Sequence, residues 1–208
     1  MRVYLARHGE TTWNLEGRYQ GRRESALTAL GMRQAFALAG AMTELHVGRV
    51  ITSPLIRCTA TGRPTAERLS IGVETDDRLI EIAHGTWEGR IREEIAENDP
   101  ARYRAWRTDP ANVRFEDGET IVQVLERWRN FRASLRLDVP TLLVTHDAVV
   151  RAALVDVAGK SLDAFWNTKV ENGAFAILEA SPSSWSIAKE RSHAHLAGIH
   201  ADIEGQAL

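Results

Sequence analysis

Short apolar runs that stop at polar residues alternate along this chain with longer stretches of helical spacing. Residues 3–5 form the first run, which ends at Arg7-His8-Gly9 as a buried strand does where it opens into a loop. Thr28 stands where an N-cap belongs, ahead of apolar positions that continue to Leu45. Residues 50–52 predict a second strand ending at Ser53-Pro54, and helical spacing follows over 55–69. A third short strand is expected over 73–75, then a loop through Trp87. Residues 90–112 predict short helices broken at Pro100 and Pro110, because proline lacks the amide that a helix interior needs. Between 119 and 137, Ile121, Val124, Leu125, Trp128 and Leu135 share one face of a long amphipathic helix. Residues 141–145 are the clearest buried strand and lead into a helix over about 148–158. Strands at 169–170, 175–179 and 185–188 complete the set.

Strands alternating with helices call for a mostly parallel sheet covered on both faces. The expected fold class is therefore α/β, a three-layer sandwich with a mostly parallel central sheet flanked by helices. Without an internal repeat, low-complexity tract or proline-rich linker, residues 1–208 read as one domain, with a C-terminal tail from about 191 to 208. Ligands of such sheets bind beyond the carboxyl ends of the strands. Two expected strands end in a histidine, His8 after the first and His146 after 141–145. Both imidazoles therefore arrive at one edge of the sheet.

Composition narrows the partners. At 208 residues and 44% hydrophobic, the chain can bury a sizeable core. Its 26 Lys and Arg nearly balance 28 Asp and Glu, for a formal charge of −2, so no general basic field attracts nucleic acid. An anion site must be made locally, in one cleft. No run approaches the roughly 18 apolar residues of a membrane span. The opening Met-Arg-Val-Tyr-Leu-Ala-Arg-His also lacks the apolar core and cleavage site of a signal peptide. The single cysteine, Cys58, cannot pair internally and suits a reducing compartment. These features predict a cytoplasmic protein with no membrane or nucleic-acid partner.

Four segments carry candidate chemistry. Arg7-His8-Gly9-Glu10-Thr11 sets an imidazole beside a guanidinium at a tight turn. A neutral imidazole can attack phosphorus, and a guanidinium holds phosphate with a planar fork of donors. Taken alone the pair could equally be a buried histidine beside a surface arginine. Arg57 falls just inside a helix that follows a strand, where it could join Arg7 on one phosphate or be an ordinary surface arginine. Glu81 lies in an apolar run before Gly85-Thr86-Trp87-Glu88-Gly89. Apolar surroundings push a carboxyl toward its neutral form, as a general acid requires, although a salt-bridged loop carboxylate has the same pattern. His146, at a strand end, could donate to phosphoryl oxygens. His193, His195 and His200 offer a metal alternative, but they sit in a polar segment with no matching carboxylate pattern, so no metal is expected.

Taken in order, Arg7-His8-Gly9-Glu10-Thr11, Ser53-Pro54-Leu55 with Arg57, Glu81 with Gly85-Thr86-Trp87-Glu88-Gly89, and His146 resemble the motifs of the histidine phosphatase superfamily, in its phosphoglycerate-mutase-like branch. Thr28, Gly31, Gln34 and Ala35 also resemble that family's helix after the first loop, and the likeness spans roughly residues 1–180. The resemblance implies a phosphoglycerate mutase-like fold, His8 as nucleophile and Glu81 as proton donor. It implies a phosphate pocket of Arg7, Arg57, His146 and Asn14. The family usually has glycine where this chain has Asp147, which is expected to cap the following helix. Cys58 and Gly62 replace alanines often seen in the second motif and are expected to be packing changes.

The resulting expectation is a phosphomonoesterase that acts on a small phosphorylated metabolite and releases inorganic phosphate through a phosphohistidine on His8. Residues 14–28 resemble the phosphatase members, and residues 81–110 are compact where true mutases carry a longer insertion. A cofactor-dependent phosphoglycerate mutase is the alternative, and only then would a 2,3-bisphosphoglycerate primer be needed. A non-catalytic phospho-ligand-binding domain is the distant third. Gln20, Gly21, Arg22 and His84 are candidates for substrate contact, with Arg18, Arg23, Arg114 and Lys169 as further cations at the mouth. An apolar edge strand could support a homodimer.

Overall fold

The computed structural model describes residues 1–201 together with Gln206 and Ala207. Strand β1 (Arg2–Arg7) lies inside a six-stranded sheet with β2 (Arg49–Thr52), β3 (Val73–Thr75), β4 (Thr141–Thr145), β5 (Phe175–Ala180) and β6 (Trp185–Ser192). Their order is β3-β2-β4-β1-β5-β6. The first four run parallel, whereas β5 and β6 add as an antiparallel hairpin.

Period-two alternation along β1 builds the two faces. Val3 and Leu5 pack with Trp128 and Phe131 of α6 (Ile121–Ser134) and with Val150 and Leu154 of α7 (Asp147–Val157). Tyr4 and Ala6 turn the other way, onto Leu38 and Met42 of α2 (Ala29–Glu44) and Cys58 and Ala66 of α3 (Ile56–Leu69). Each fully buried Val, Leu, Phe or Met among them contributes roughly 1.5–3 kcal/mol by leaving water, and the alanines less. A third cluster sits above the sheet edge, where Tyr19, Trp87, Trp106, Phe115 and Phe165 pack on Ala148, Val149 and Ala152 of α7. Trp87 and Trp106 are fully buried in this core.

The expected layers and the alternation of strands with helices are present. Pro100 starts α5 (Pro100–Thr108) directly after α4 (Arg92–Asn98), and Pro110 opens a 3-10 turn. The helix expected over 119–137 is shorter: Thr120 is its N-cap, its side chain accepting from the Gln123 amide, and Leu135 is already extended. Residues 169–170 are not a strand. They follow the 3-10 turn Leu162–Asn167, and the Val170 carbonyl accepts from Arg7 Nη1 at 3.0 Å. A backbone that serves a buried guanidinium is not free to pair in a ladder. The two sheet edges carry charge, Glu74 in β3 and Lys189, Glu190 and Arg191 in β6, which guards an edge against strand pairing, and Val73 of β3 is an exposed apolar side chain there. Among the described residues no helix is long and apolar enough to cross a membrane.

Candidate active site

The parallel pairing of β1 with β4 sets Arg7 opposite Thr145, so the chain delivers His8 and His146 side by side. The His8 amide donates to the Thr145 carbonyl at 2.9 Å, and the two imidazole centroids are 5.3 Å apart. Helix α2 is drawn against the loop after β1 by glycine. A Cβ on Gly9 would lie 2.6 Å from the Gly31 carbonyl, and one on Gly31 would run into the Glu10 carbonyl. Thr28 caps α2, accepting from the Gly31 amide, while its hydroxyl donates to Glu10 Oε1 at 2.7 Å. Gln34 Oε1 accepts from the Glu10 amide at 2.9 Å.

His8 is buried, and its Nδ1 lies 2.7 Å from the Gly9 carbonyl. A carbonyl can only accept, so Nδ1 carries the proton and Nε2 keeps its lone pair. Burial, with Arg57 and Arg7 nearby, holds the ring well below the ordinary histidine pKa, so it is neutral near pH 7. Arg7 is gripped at two ends: Nη1 by the Val170 carbonyl and by Asp147 at 3.3 Å, Nη2 by Gln206 Oε1 at 2.8 Å. Its Nε is buried without a partner among the described residues, as is Asn14 Nδ2. Asn14 is held by its other atom, Oδ1, which accepts from the Thr11 amide at 3.1 Å and from Asn172 Nδ2 at 3.3 Å.

Arg57 comes from the first turn of α3, whose N-cap position is Leu55 and whose first free amide, on Ile56, is met at 3.1 Å by the Glu24 carboxylate. Its Nη1 and Nη2 donate to the Arg23 and Gly21 carbonyls at 2.8 and 2.7 Å. Glu81 is buried, and its Oε1 accepts from the Ile82 amide at 3.0 Å. Burial pushes its carboxyl up to about 7, against the pull of Arg57. Arg7, His8, Asn14, Gln20, Gly21, Arg57, Glu81 and His84 line one small pocket with Ala207.

Three expectations change. His146 stands behind the pocket wall: its Nδ1 accepts from Arg57 Nε at 3.2 Å, which leaves the proton on Nε2 to be donated to Ser53 Oγ at 2.7 Å. Both ring nitrogens are committed, so in this arrangement the ring orients Arg57 and has no proton for a phosphoryl oxygen. Asp147 caps nothing. It is the first residue of α7, His146 is the N-cap, and the carboxylate bridges Arg7 and Arg151, four residues on. Arg22 pairs with Glu119 at 3.3 Å while its Nε reaches the Glu81 carbonyl at 3.5 Å, and Arg114 lies on another cleft. Arg18 and Arg23 meet Glu16 and Glu88.

Of the tail expected over about 191–208, Arg191 and Ser192 close β6, while residues 202–205 and 208 lie outside the described residues. Ala207 lines the pocket, while Gln206 sits beside it, its Oε1 accepting from Arg7 Nη2 and its Nε2 donating to Asn172 Oδ1 at 2.8 Å. Neither Asn172 nor Gln206 had a sequence signal beyond an Asn-Gly turn and an unremarkable polar terminus. His195 Nε2 donates to the Gly173 carbonyl at 2.9 Å, and among the described residues no group of three His, Cys, Asp or Glu could hold a metal.

The histidine phosphatase superfamily (branch 1) model matches residues 3–192. The chain belongs to that family. The histidine phosphatases similar to it include phosphoserine phosphatase 1 of Hydrogenobacter thermophilus, 31% identical over 205 residues and 97% of each chain. Another relative, from Klebsiella pneumoniae, bears the name "Probable phosphoglycerate mutase GpmB" and is 31% identical over 89% of this chain and 87% of its own. Among solved histidine phosphatase-like structures, Bacillus stearothermophilus YhfR superposes with a TM-score of 0.89 at 29% identity, over 94% of this chain and 98% of its own.

Proposed function

We propose that this histidine phosphatase is a phosphomonoesterase that transfers the phosphoryl group of a small metabolite to His8 and then to water. The observation that carries the reading is the His8 tautomer. Its Nδ1 proton is tied to the Gly9 carbonyl, which leaves a bare Nε2 beside two guanidiniums and a buried carboxyl. Arg7 Nε and Asn14 Nδ2 supply donors for the equatorial oxygens, and Arg57 supplies further charge. Nε2 attacks phosphorus as the ester P–O bond breaks, and Glu81 gives its proton to the leaving alkoxide. The ring keeps its Nδ1 proton, so the phosphoryl group rests on a cationic imidazolium whose charge the Gly9 carbonyl stabilises. Ionised Glu81 then takes a proton from water, whose oxygen attacks phosphorus. The N–P bond breaks, and inorganic phosphate and neutral His8 are regenerated. Every group in this scheme belongs to the chain, so no metal or cofactor is assigned to it. His84, Gln20 and Gly21 line the same pocket and face the alcohol part of the substrate.

The mutase is the second reading, favoured by the name that several relatives bear, the Klebsiella pneumoniae protein among them. The test is phosphate release from a panel of phosphomonoesters, 3-phosphoglycerate among them, in the presence of chelator and with His8→Ala as control. Release by wild type alone supports the hydrolase. Interconversion of phosphoglycerates on addition of a bisphosphoglycerate primer, without net release, supports the mutase. Substantial activity in His8→Ala overturns both.

A further inference from the structure

Behind the nucleophile runs a chain of hydrogen bonds that reaches the segment after β6. The backbone of His8 is clamped on the strand side: its amide donates to the Thr145 carbonyl at 2.9 Å, and its carbonyl accepts from the Gly173 amide and from Asn172 Nδ2, both at 3.2 Å. The Gly9 amide donates to Thr61 Oγ1 at 2.9 Å. What remains is the peptide that joins Gly9 to Glu10. Its carbonyl accepts the His8 Nδ1 proton at 2.7 Å, and its N–H donates to Gln34 Oε1 at 2.9 Å. Gln34 Nε2 donates in turn to the Ile199 carbonyl at 3.1 Å. The Gln34 side chain is fully buried, and its two ends meet a donor and an acceptor that cannot exchange roles, so its carboxamide has one orientation.

The close approach of Gly9 to Gly31 brings this loop within reach of Gln34, one turn further along α2. A tether on any other amide would hold the loop, but this one grips the peptide whose oxygen touches the ring. In a chain of hydrogen bonds each bond polarises the next, so an acceptor on a peptide N–H makes the carbonyl of the same peptide a better acceptor. The gain is larger when the donor carries charge, as the ring does once a phosphoryl group rests on Nε2. We infer that Gln34 is a positioning residue for the nucleophile. Through the peptide between Gly9 and Glu10 it fixes the carbonyl that selects the His8 tautomer, and it strengthens that carbonyl against the charge of the phosphohistidine. The second half of the inference rests on the phosphatase reading of the His8 pocket, whereas the first rests on the hydrogen bonds alone.

Two substitutions test it. Gln34→Met fills similar space without an acceptor. Gln34→Glu, as a buried carboxylic acid, restores an oxygen for the Glu10 amide and an O–H for the Ile199 carbonyl. In NMR spectra of protein labelled at histidine and tryptophan nitrogens, the His8 Nδ1 proton is the signal lost in His8→Ala. It should move upfield in Gln34→Met and return toward its wild-type position in Gln34→Glu. The indole proton of Trp128, which donates to Asp156 on the opposite face of the sheet, should stay in place and reports an intact fold. If Gln34→Met does not fold by that criterion, Gln34→Asn, whose shorter amide cannot reach, takes its place. Single-turnover phosphorylation of His8 by an aryl phosphate should slow about fivefold to tenfold in Gln34→Met, while inhibition by inorganic phosphate changes less than about twofold. A proton that does not move, equal losses in phosphorylation and phosphate affinity, or no recovery in Gln34→Glu overturns the positioning role. Wild-type turnover that Gln34→Met leaves intact keeps the phosphatase and removes the role. A proton that moves as expected, in a protein that hydrolyses no phosphomonoester, removes the phosphatase and keeps the anchor of the ring.

Discussion

Replacing the Glu81 carboxyl by the amide of glutamine should slow catalysis and strengthen the fold together. In the folded protein the carboxyl is pushed from an ordinary 4.5 to about 7 by burial. Below pH 4.5 the folded and unfolded states are both protonated and the group costs nothing. As pH rises toward 7 the unfolded chain loses the proton and the folded one does not, so stability falls. The loss levels off above 7 at about 3 kcal/mol. A neutral amide carries no such cost, so urea unfolding of Glu81→Gln should show a stability gain that is absent at pH 4 and near its maximum at pH 8. Kinetically, the same carboxyl in the wild type should produce a descending limb near pH 7 in kcat/KM, with about a tenth of the enzyme still protonated at pH 8. Glu81→Gln should cost about 10²–10⁴ with an alkyl phosphate, whose alkoxide needs a proton, and far less with nitrophenyl phosphate. Comparing variant with wild type on one substrate cancels that substrate's own ionisation. Equal losses on both substrates would refute the proton-donor role, and a stability increment that does not vary with pH would refute the burial argument.

His84 is buried against the rings of Tyr19, Trp106 and Phe115, both its nitrogens lack partners among the described residues, and burial lowers it to about 3. Stability tied to it is complete above pH 6.5 and falls with acidification, by about 2 kcal/mol at pH 5. His84→Phe should therefore flatten the acid side of the stability profile relative to wild type, and an unchanged slope would sink this account. Asp147→Asn leaves Arg7 and Arg151 without their shared anion and should cost roughly 3 kcal/mol in urea unfolding. An unchanged unfolding midpoint would count against the bridge. Gln206→Ala removes the acceptor that holds Arg7 Nη2, so inorganic phosphate should inhibit only at several-fold higher concentration; unchanged or stronger inhibition would mean that Gln206 does not fix the guanidinium for the anion.

The fold was legible because β1 and β4 are short apolar runs that end at chemically distinctive residues, and the parallel rule for alternating elements then places His8 and His146 at one edge. Arg7, His8 and Arg57 were legible for the same reason, since each stands at a strand end or a helix start, whereas Glu81 was marked by its apolar run and Asn14 only by the family resemblance. What sequence spacing could not reveal was orientation. Whether an imidazole faces the pocket or its wall depends on two hydrogen bonds, from Arg57 Nε and to Ser53 Oγ, made across sequence separations of about ninety residues. Asp147 illustrates the same limit. A carboxylate at a helix start suggests a cap, and only the proximity of Arg7 and Arg151 makes it an ion bridge. Residues 169–170 had strand-like composition, but the demand of Arg7 for the Val170 carbonyl overrides local propensity.

Three side chains of the pocket, His8, Asn14 and Arg7, share one design, which fixes how the acid behaves once substrate is bound. Each is held by the atom turned away from the pocket: His8 by Nδ1, Asn14 by Oδ1, Arg7 by its two terminal nitrogens. Each presents the atom left over, so little reorganisation accompanies phosphate binding. A phosphate dianion seated there brings negative charge close to Glu81, and a nearby like charge disfavours ionisation. The arrival of the substrate therefore raises the carboxyl above the value of about 7 that it has in the free protein, at the moment when its proton is needed. Single-turnover phosphorylation of His8 at saturating substrate should keep its descending limb at higher pH than kcat/KM does, since the first reports the complex and the second the free enzyme. A limb at the same pH or lower would mean that the phosphate does not sit beside Glu81, and the acid would have to be sought elsewhere in the pocket.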